Sequence, residues 1–298
     1  MMDKVLQEAE LVQGRRRTRR AGTGRRVSRR REAVQEGEAA LPVPAWVASR
    51  KPFCLETLPD GLSLRDVLAW HSLPAPLVEV LAEGDLSVAL ARLLNFTSLA
   101  LEKNTPLAFC GPSGGGQTLA LARMAVRYVQ RERHVETTPL VIACEAEPEG
   151  AARLTAWLKP YGVPVFRAAT VEAVRAIMAR KGAAQPVLLD LPKAGLYAPG
   201  GLATVREVIR QAGAAPIAVL PAGMDAEEAA DTAAAYRQLG AERMIATRLD
   251  QAGRIGSIIT AAACGLALTY AGYAPSVRGG AVRCDAALLA RRLMVVPG

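Results

Sequence analysis

Between residues 109 and 118 the chain reads Phe-Cys-Gly-Pro-Ser-Gly-Gly-Gly-Gln-Thr. Glycines at 111, 114 and 116 let the backbone turn until successive N–H groups converge on one point, and Thr118 adds a hydroxyl. With a helix starting directly behind it, such a loop holds an anion, above all a phosphate. The spacing meets the pattern G-x-x-x-x-G-K-[ST] at Gly111, Gly116 and Thr118, with Gln117 where the pattern has lysine. Glutamine still donates hydrogen bonds to oxygen but carries no charge to offset a phosphate chain. Two acids complete the set. Asp190 closes the apolar run Val187-Leu-Leu, where a carboxylate can reach Mg²⁺ through water, and Asp250 closes Thr247-Arg-Leu, where a carboxylate can accept the paired N1–H and N2 donors of guanine. Taken singly, Asp190 serves equally well as a helix cap and Asp250 as a turn acid.

The elements that must hold these residues are legible as short apolar runs separated by helical patterns. Strands are expected at Leu107–Cys110, Leu140–Cys144, Val165–Ala168, Val187–Leu191, Ile217–Leu220, Met244–Thr247 and Leu266–Tyr270. Helices are expected behind the glycine loop (Leu119–Val129) and at Ala151–Leu158, Val171–Ala179, Thr204–Gln211, Glu227–Leu239 and Gly256–Cys264. Strands alternating with helices predict an α/β fold, a P-loop NTPase-like and mostly parallel sheet with helices on both faces. Ligands then sit beyond the carboxyl ends of the strands, where Gln117, Asp190 and Asp250 fall. Before the first strand, Leu64–Trp70 with Ser63 as cap, Leu77–Leu81 and Leu86–Leu101 predict three short helices packed against the sheet-forming part of the chain.

Composition narrows the functional classes. The chain has 298 residues, 51% of them hydrophobic, enough for one or two cores. Five scattered cysteines with no C-x-x-C spacing and no apolar leader point to reduced thiols and no zinc site. With only His71 and His134, histidine chemistry has little material, and each is read as a helix-surface or packing residue. Residues 15–31 hold ten arginines and no acid against a net charge of +9, so the remainder is close to neutral. This block is expected to be a disordered tail that attracts anionic surfaces; with no aromatic residue in it, it offers no specific nucleic-acid recognition. The run from Ser257 to Gly272 is short and rich in Ala, Gly and Thr, and reads as a helix followed by a buried strand rather than a membrane span. The expected domains are a tail and proline-rich connector over 1–53, a helical domain over 54–104 and the nucleotide-type domain over 105–298.

In combination these motifs resemble the signal-recognition-particle class of GTPases, and within it the FlhF-type, flagellar-placement branch, from about Gly61 to the end. Gly111–Thr118 matches the first nucleotide motif, and Thr247-Arg-Leu-Asp-Gln-Ala-Gly-Arg-Ile-Gly-Ser257 matches the family's T-K-L-D with its closing loop. Leu220–Ala230 resembles the stretch leading to it, and Leu158–Val165 the insertion that sets this class apart from Ras-like proteins. The resemblance implies GTP or GDP with Mg²⁺ held by Gly111, Gly114, Gly116, Gln117, Thr118, Thr247, Arg248 and Asp250. It implies Mg²⁺ contacts from Thr118 and Asp190, catalytic positions at Asp190 and Arg153, and a helical N domain at 54–104. It also implies homodimers, a MinD-like (FlhG-type) ATPase partner, flagellar-base components, and a cytoplasmic protein at the inner face of the membrane, which the arginine tail would touch. The family's D-T-x-R-x-x-x-x-x-Q aligns with Cys144-Glu-Ala-Glu-Pro-Glu-Gly-Ala-Ala-Arg153, placing Cys144 at the aspartate, Glu147 at the arginine and Arg153 at the glutamine. D-T-A-G becomes Asp190-Leu-Pro-Lys193. Two readings result: a GTP-binding protein whose hydrolysis is weak or lost, and a non-nucleotide-binding pseudo-GTPase that recruits partners.

Overall fold

The computed structural model describes residues 52–54, 63–101, 104–131, 138–145, 148–182, 184–193 and 195–297. The arginine block, the connector up to residue 51, His134 and Glu147 lie outside them.

Three short helices come first. In α1 (Leu64–Trp70) Ser63 and Asp66 cap each other reciprocally, the Ser63 hydroxyl accepting from the Asp66 N–H at 3.2 Å and the Asp66 carboxylate from the Ser63 N–H at 2.9 Å. Pro74 fixes the entry to α2 (Ala75–Leu81), and the Asp85 side chain caps α3 (Leu86–Leu93). The helix expected to run to Leu101 stops at Leu93. Asn95 and Thr97 instead bond to Leu268, their carbonyl and N–H engaged at 2.8 and 2.9 Å, so the sheet claims that backbone.

The main elements follow as β2 (Leu107–Cys110), α4 (Gln117–Arg131), β3 (Leu140–Ala143), α5 (Pro148–Leu158), β4 (Val165–Arg167), α6 (Val171–Met178), β5 (Val187–Asp190), α7 (Gly201–Ala212), β6 (Ala215–Pro221), α8 (Ala226–Gln238), β7 (Arg243–Thr247), α9 (Gly256–Ala263) and β8 (Ala267–Gly272). The sheet runs β4-β3-β5-β2-β6-β7-β8-β9, parallel throughout except for the added edge strand β9 (Ala281–Arg283). Helix α10 (Ala286–Leu293) and a two-stranded antiparallel ribbon of β1 (Pro52–Cys54) with β10 (Val295–Pro297) complete the described chain. The strand β9, the helix α10 and this ribbon have no counterpart among the expected elements. Residues 52 and 53, placed in the connector by sequence, are therefore paired with the C-terminal strand.

Buried strands alternate between two cores, as a sheet covered on both faces requires. Leu140 and Ile142 of β3 pack into a cluster with Leu68, Leu90, Ile258 and Leu289, while Val141 and Ala143 join Phe109, Leu121, Leu154 and Ile217. The first cluster joins the early helices, α9 and α10 into one packed body, so residues 52–297 form a single compact unit. Strand β2 lies between β5 and β6; the chain leaves it to build β3, β4 and β5 on one side, then crosses to β6, β7 and β8 on the other. The crevice at the carboxyl end of β2, where the glycine loop begins, is the ligand position for such a sheet.

Candidate nucleotide site

The glycine loop leaves β2 pressed against β6. A Cβ on Gly111 would lie 2.4 Å from the Val219 carbonyl oxygen, closer than any side chain permits. Gly114 and Gly116 have φ of +72° and +87°, the left-handed region that side chains disfavour. The turn closes by the Gly115 N–H donating to the Pro112 carbonyl at 2.9 Å, and α4 starts at Gln117.

From β7 the sequence Thr247-Arg-Leu-Asp250 grips this loop. The buried Thr247 hydroxyl donates to the Gly115 carbonyl at 2.5 Å, and the Arg248 guanidinium donates to the Gly114 carbonyl. Arg248 holds φ at +59°, an unusual conformation for a residue with a side chain, which turns its guanidinium back over the loop. Asp250 stays exposed, free to meet a base. Leu249 anchors the turn through its N–H to the Gly272 carbonyl at 3.0 Å.

Gln117 is turned inward. It is 3% exposed, and its Nε2 donates both to Asp190 Oδ1 and to the Leu191 carbonyl, each at 2.7 Å. An amide nitrogen has two hydrogens, so both donors are committed and none remains for a phosphate. Asp190, fully buried at the end of β5, has its acidity weakened to a pKa of about 6, chiefly by burial. The Thr118 hydroxyl, the Gln117 amide and Lys193 favour its ionised form, while Glu145 opposes it. Three buried oxygens here lack any hydrogen-bond partner among the described residues, Gln117 Oε1, Asp190 Oδ2 and Glu145 Oε1.

Glu145 brings negative charge into this corner, as the glutamate run beside the nucleotide motif leads one to expect. It follows β3, whose Ala143 pairs with Asp190, and its carboxylate occupies the space a Cβ on Gly150 would need, at 1.9 Å. Its signal in the sequence is the run of alternating glutamates at 145, 147 and 149. Arg153, expected at a catalytic position, is exposed on the second turn of α5 and makes no hydrogen bond or ion pair among the described residues. Arg123, near Asp250 but bonded to the 274–276 loop rather than to the glycine loop, is a residue the sequence reading missed: its guanidinium is buried at 8% exposure and donates to the carbonyls of Ala274 and Ser276, the former contact unusually close and the latter at 3.0 Å. Burial lowers its basicity, with the nearby Asp250 charge partly restoring it. The sequence signal is a charge inside the otherwise apolar run Ala120–Val126 of α4.

The glycine loop, Thr118 and Asp190 Oδ2 suit a phosphate with Mg²⁺, since the loop has the left-handed glycines of an anion cradle and the carboxylate oxygen has no hydrogen-bond partner among the described residues. At the lysine position the only side-chain nitrogen is already bound within the protein. The cysteines near the site are buried and inert: Cys110 is pushed up to about 12 and Cys144 higher still, both mainly by burial. No described helix is long and apolar enough to cross a membrane.

No family model matches the chain, and neither does any curated protein. Solved structures do. FlhF complexed with GTP and Mg²⁺ matches at a TM-score of 0.64 and 14% identity over 78% of this chain and 97% of that one. The signal recognition particle 54 kDa protein of Aeropyrum pernix, in complex with GDP, matches at 0.63 and 15% identity, covering 78% and 62%. Chloroplast FtsY of Physcomitrella patens matches at 0.63 and 19% identity, covering 77% and 86%. The chain has the fold of the signal-recognition-particle-type GTPases.

Proposed function

We propose that this is an FlhF-like guanine-nucleotide-binding protein of the signal-recognition-particle type, acting in flagellar placement or assembly, in which hydrolysis is weak or lost. The observation that carries the reading is the double commitment of Gln117 Nε2 to Asp190 and Leu191. The glycine cradle, Thr118, Arg248 and Asp250 support binding of GTP or GDP with Mg²⁺. The transition state for phosphoryl transfer asks for positive charge at the β- and γ-phosphates, and here the lysine is a neutral amide and the aligned arginine is Glu147. Losing one preorganised donor costs on the order of 3 kcal/mol of barrier, so two such losses slow turnover by several orders of magnitude. In this reading the chain acts by binding partners: a second copy, a MinD-like ATPase, flagellar-base components or an anionic membrane surface reached by the arginine block from the cytoplasm.

A second reading, a pseudo-GTPase that binds no nucleotide, is favoured by the same clasp, since Gln117 fills the space a phosphate-directed lysine would leave. Binding of labelled GTP, GDP and ATP with and without Mg²⁺, beside a Gln117→Lys variant and followed by a turnover assay, separates the two. The first reading expects guanine-selective, Mg²⁺-dependent binding with negligible turnover in the natural chain. Brisk hydrolysis by the natural chain would sink both readings, and absence of binding in either protein leaves only the second.

A further inference from the structure

Beyond the first turn of α4, Arg123, Arg127, Gln130, Tyr270 and Arg278 line a cavity of about 130 Å³. Among the described residues no carboxylate lines it. Arg123 and Arg127 are four residues apart on one helix, so two like charges face the same space, an unfavourable pairing unless something neutralises it. Arg127 lies over the Tyr270 ring at 4.8 Å, and its Nε is buried with no hydrogen-bond partner. Arg123 is held by carbonyls alone. Glycines make room for it: a Cβ on Gly272 or Gly280 would lie 2.6 or 2.7 Å from its guanidinium nitrogens. A buried cation is costly; the nearby Asp250 charge offsets part of that cost without a direct ion pair among the described residues, and the carbonyls fix the guanidinium rather than leave it free to swing into solvent. Arg278, exposed at the rim, adds a third charge.

From this arrangement we infer a second anion site, separate from the glycine loop, that takes a phosphate-type oxyanion between Arg123, Arg127 and Arg278. Guanidinium forks suit such an oxyanion because they donate in planar pairs, and the cavity has room for one phosphate group but not for a nucleoside with it. The ligand is an inorganic phosphate or the terminal phosphate of a lipid headgroup, which share this chemistry. Its position gives it a route to the nucleotide site: the 273–281 loop that holds Arg123 follows Gly272, whose carbonyl anchors the Thr247–Asp250 turn through Leu249.

The test titrates the full chain with inorganic phosphate by calorimetry at fixed ionic strength, beside Arg127→Gln, Arg278→Gln and, to close the glycine loop with a carboxylate, Gly114→Asp. Arg278 is exposed, so its variant keeps the fold even if Arg127→Gln does not. The expected result is a saturable phosphate site weakened roughly tenfold or more by either arginine substitution and retained in Gly114→Asp. A phosphate site lost in Gly114→Asp but unchanged in both arginine variants, or no saturable binding at all, overturns the proposal. Phosphatidylcholine vesicles doped with phosphatidic acid identify the source. Retention that falls in Arg278→Gln and is competed by phosphate assigns a lipid headgroup; retention unchanged by that substitution, with phosphate still bound, assigns free phosphate.

Discussion

Gln117 Nε2 sits 2.7 Å from Asp190 Oδ1, tying the first residue of α4 to the last residue of β5 across the mouth of the glycine loop. Where the fold's sequence pattern has a cation directed at phosphate, this chain has an internal contact. Each partner keeps one buried oxygen without a donor, so the clasp is incomplete in itself and open to a proton, a cation or a replacement side chain.

A lysine at 117 tests what the clasp withholds. Gln117→Lys restores a charge that can turn to the phosphates or pair with Asp190, and Mg²⁺-dependent GTP affinity is expected to rise tenfold or more, the effect of roughly 1.4 kcal/mol. Gln117→Ala removes the donor to two buried acceptors and is expected to lower unfolding free energy by about 1–3 kcal/mol. Fluorescent-nucleotide titration and urea denaturation measure the two. Unchanged affinity in the lysine variant would mean that the slot is closed for reasons beyond the missing charge.

Asp190 and His71 have opposite pH signatures over the same range. The Asp190 carboxyl rises from 3.8 to about 6 on folding, so the native state holds a proton that the unfolded chain releases, and stability falls as pH climbs from about 4 to 6. His71 is buried and neutral; burial chiefly lowers it from 6.5 to about 4, so the unfolded chain takes up a proton first and stability falls as pH drops from 6.5 to 4. The two nearly cancel, each amounting to about 3 kcal/mol at most. Asp190→Asn removes one side of the balance. Its urea midpoint should rise steeply between pH 4.5 and 6.5 while the natural chain stays nearly flat, and parallel profiles would refute the assignment.

How much of the fold and site is legible in the sequence depends on the range of the interaction. All seven strands read from apolar runs are present; β3 and β5 are buried on both faces without interruption and so read as near-continuous apolar runs, whereas the edge strand β4 is largely exposed. The edge strand β9 and the β1–β10 ribbon carry no such mark, since three-residue pairings depend on a distant partner rather than on local pattern. The glycine loop and the Thr247–Asp250 turn carry their own signature. The orientation of Gln117 does not, as it depends on Asp190, seventy-three residues away. His71 illustrates the same limit: one of two histidines, it proves to be fully buried, with Nε2 donating to the Leu293 carbonyl at 2.6 Å and Nδ1 accepting from the Ile255 N–H at 3.3 Å.

That histidine joint defines a position that tolerates only glycine. A Cβ on Gly256 would lie 2.2 Å from the His71 carbonyl oxygen, which accepts the Gly256 N–H at 3.1 Å. The obstacle is backbone, so nothing rotates out of the way. Gly256→Ala is expected to cost about 1–3 kcal/mol or more and to separate α1 from the start of α9. Thermal unfolding reads the loss, and a melting temperature equal to that of the natural chain would show that the joint is looser than the distances imply.

Thr247 is the last test, because it asks whether the glycine loop is preformed or merely available. Its hydroxyl donates to the Gly115 carbonyl while its Cβ and Cγ2 lie 3.4 Å from where a Cβ on Gly116 would stand, so one side chain both bonds and walls the loop. Thr247→Val keeps the wall and deletes the donor, leaving the Gly115 carbonyl to find another partner at a cost of about 1 kcal/mol. The exposed Arg248 contact with Gly114 should contribute less, being screened by water. Amide hydrogen exchange at Gly114–Thr118 should therefore accelerate several-fold in Thr247→Val and little in Arg248→Ala, with nucleotide affinity following the same order. Were the two variants to exchange alike, the loop's shape would come from its glycines and from β6, and Thr247 would only seal its floor.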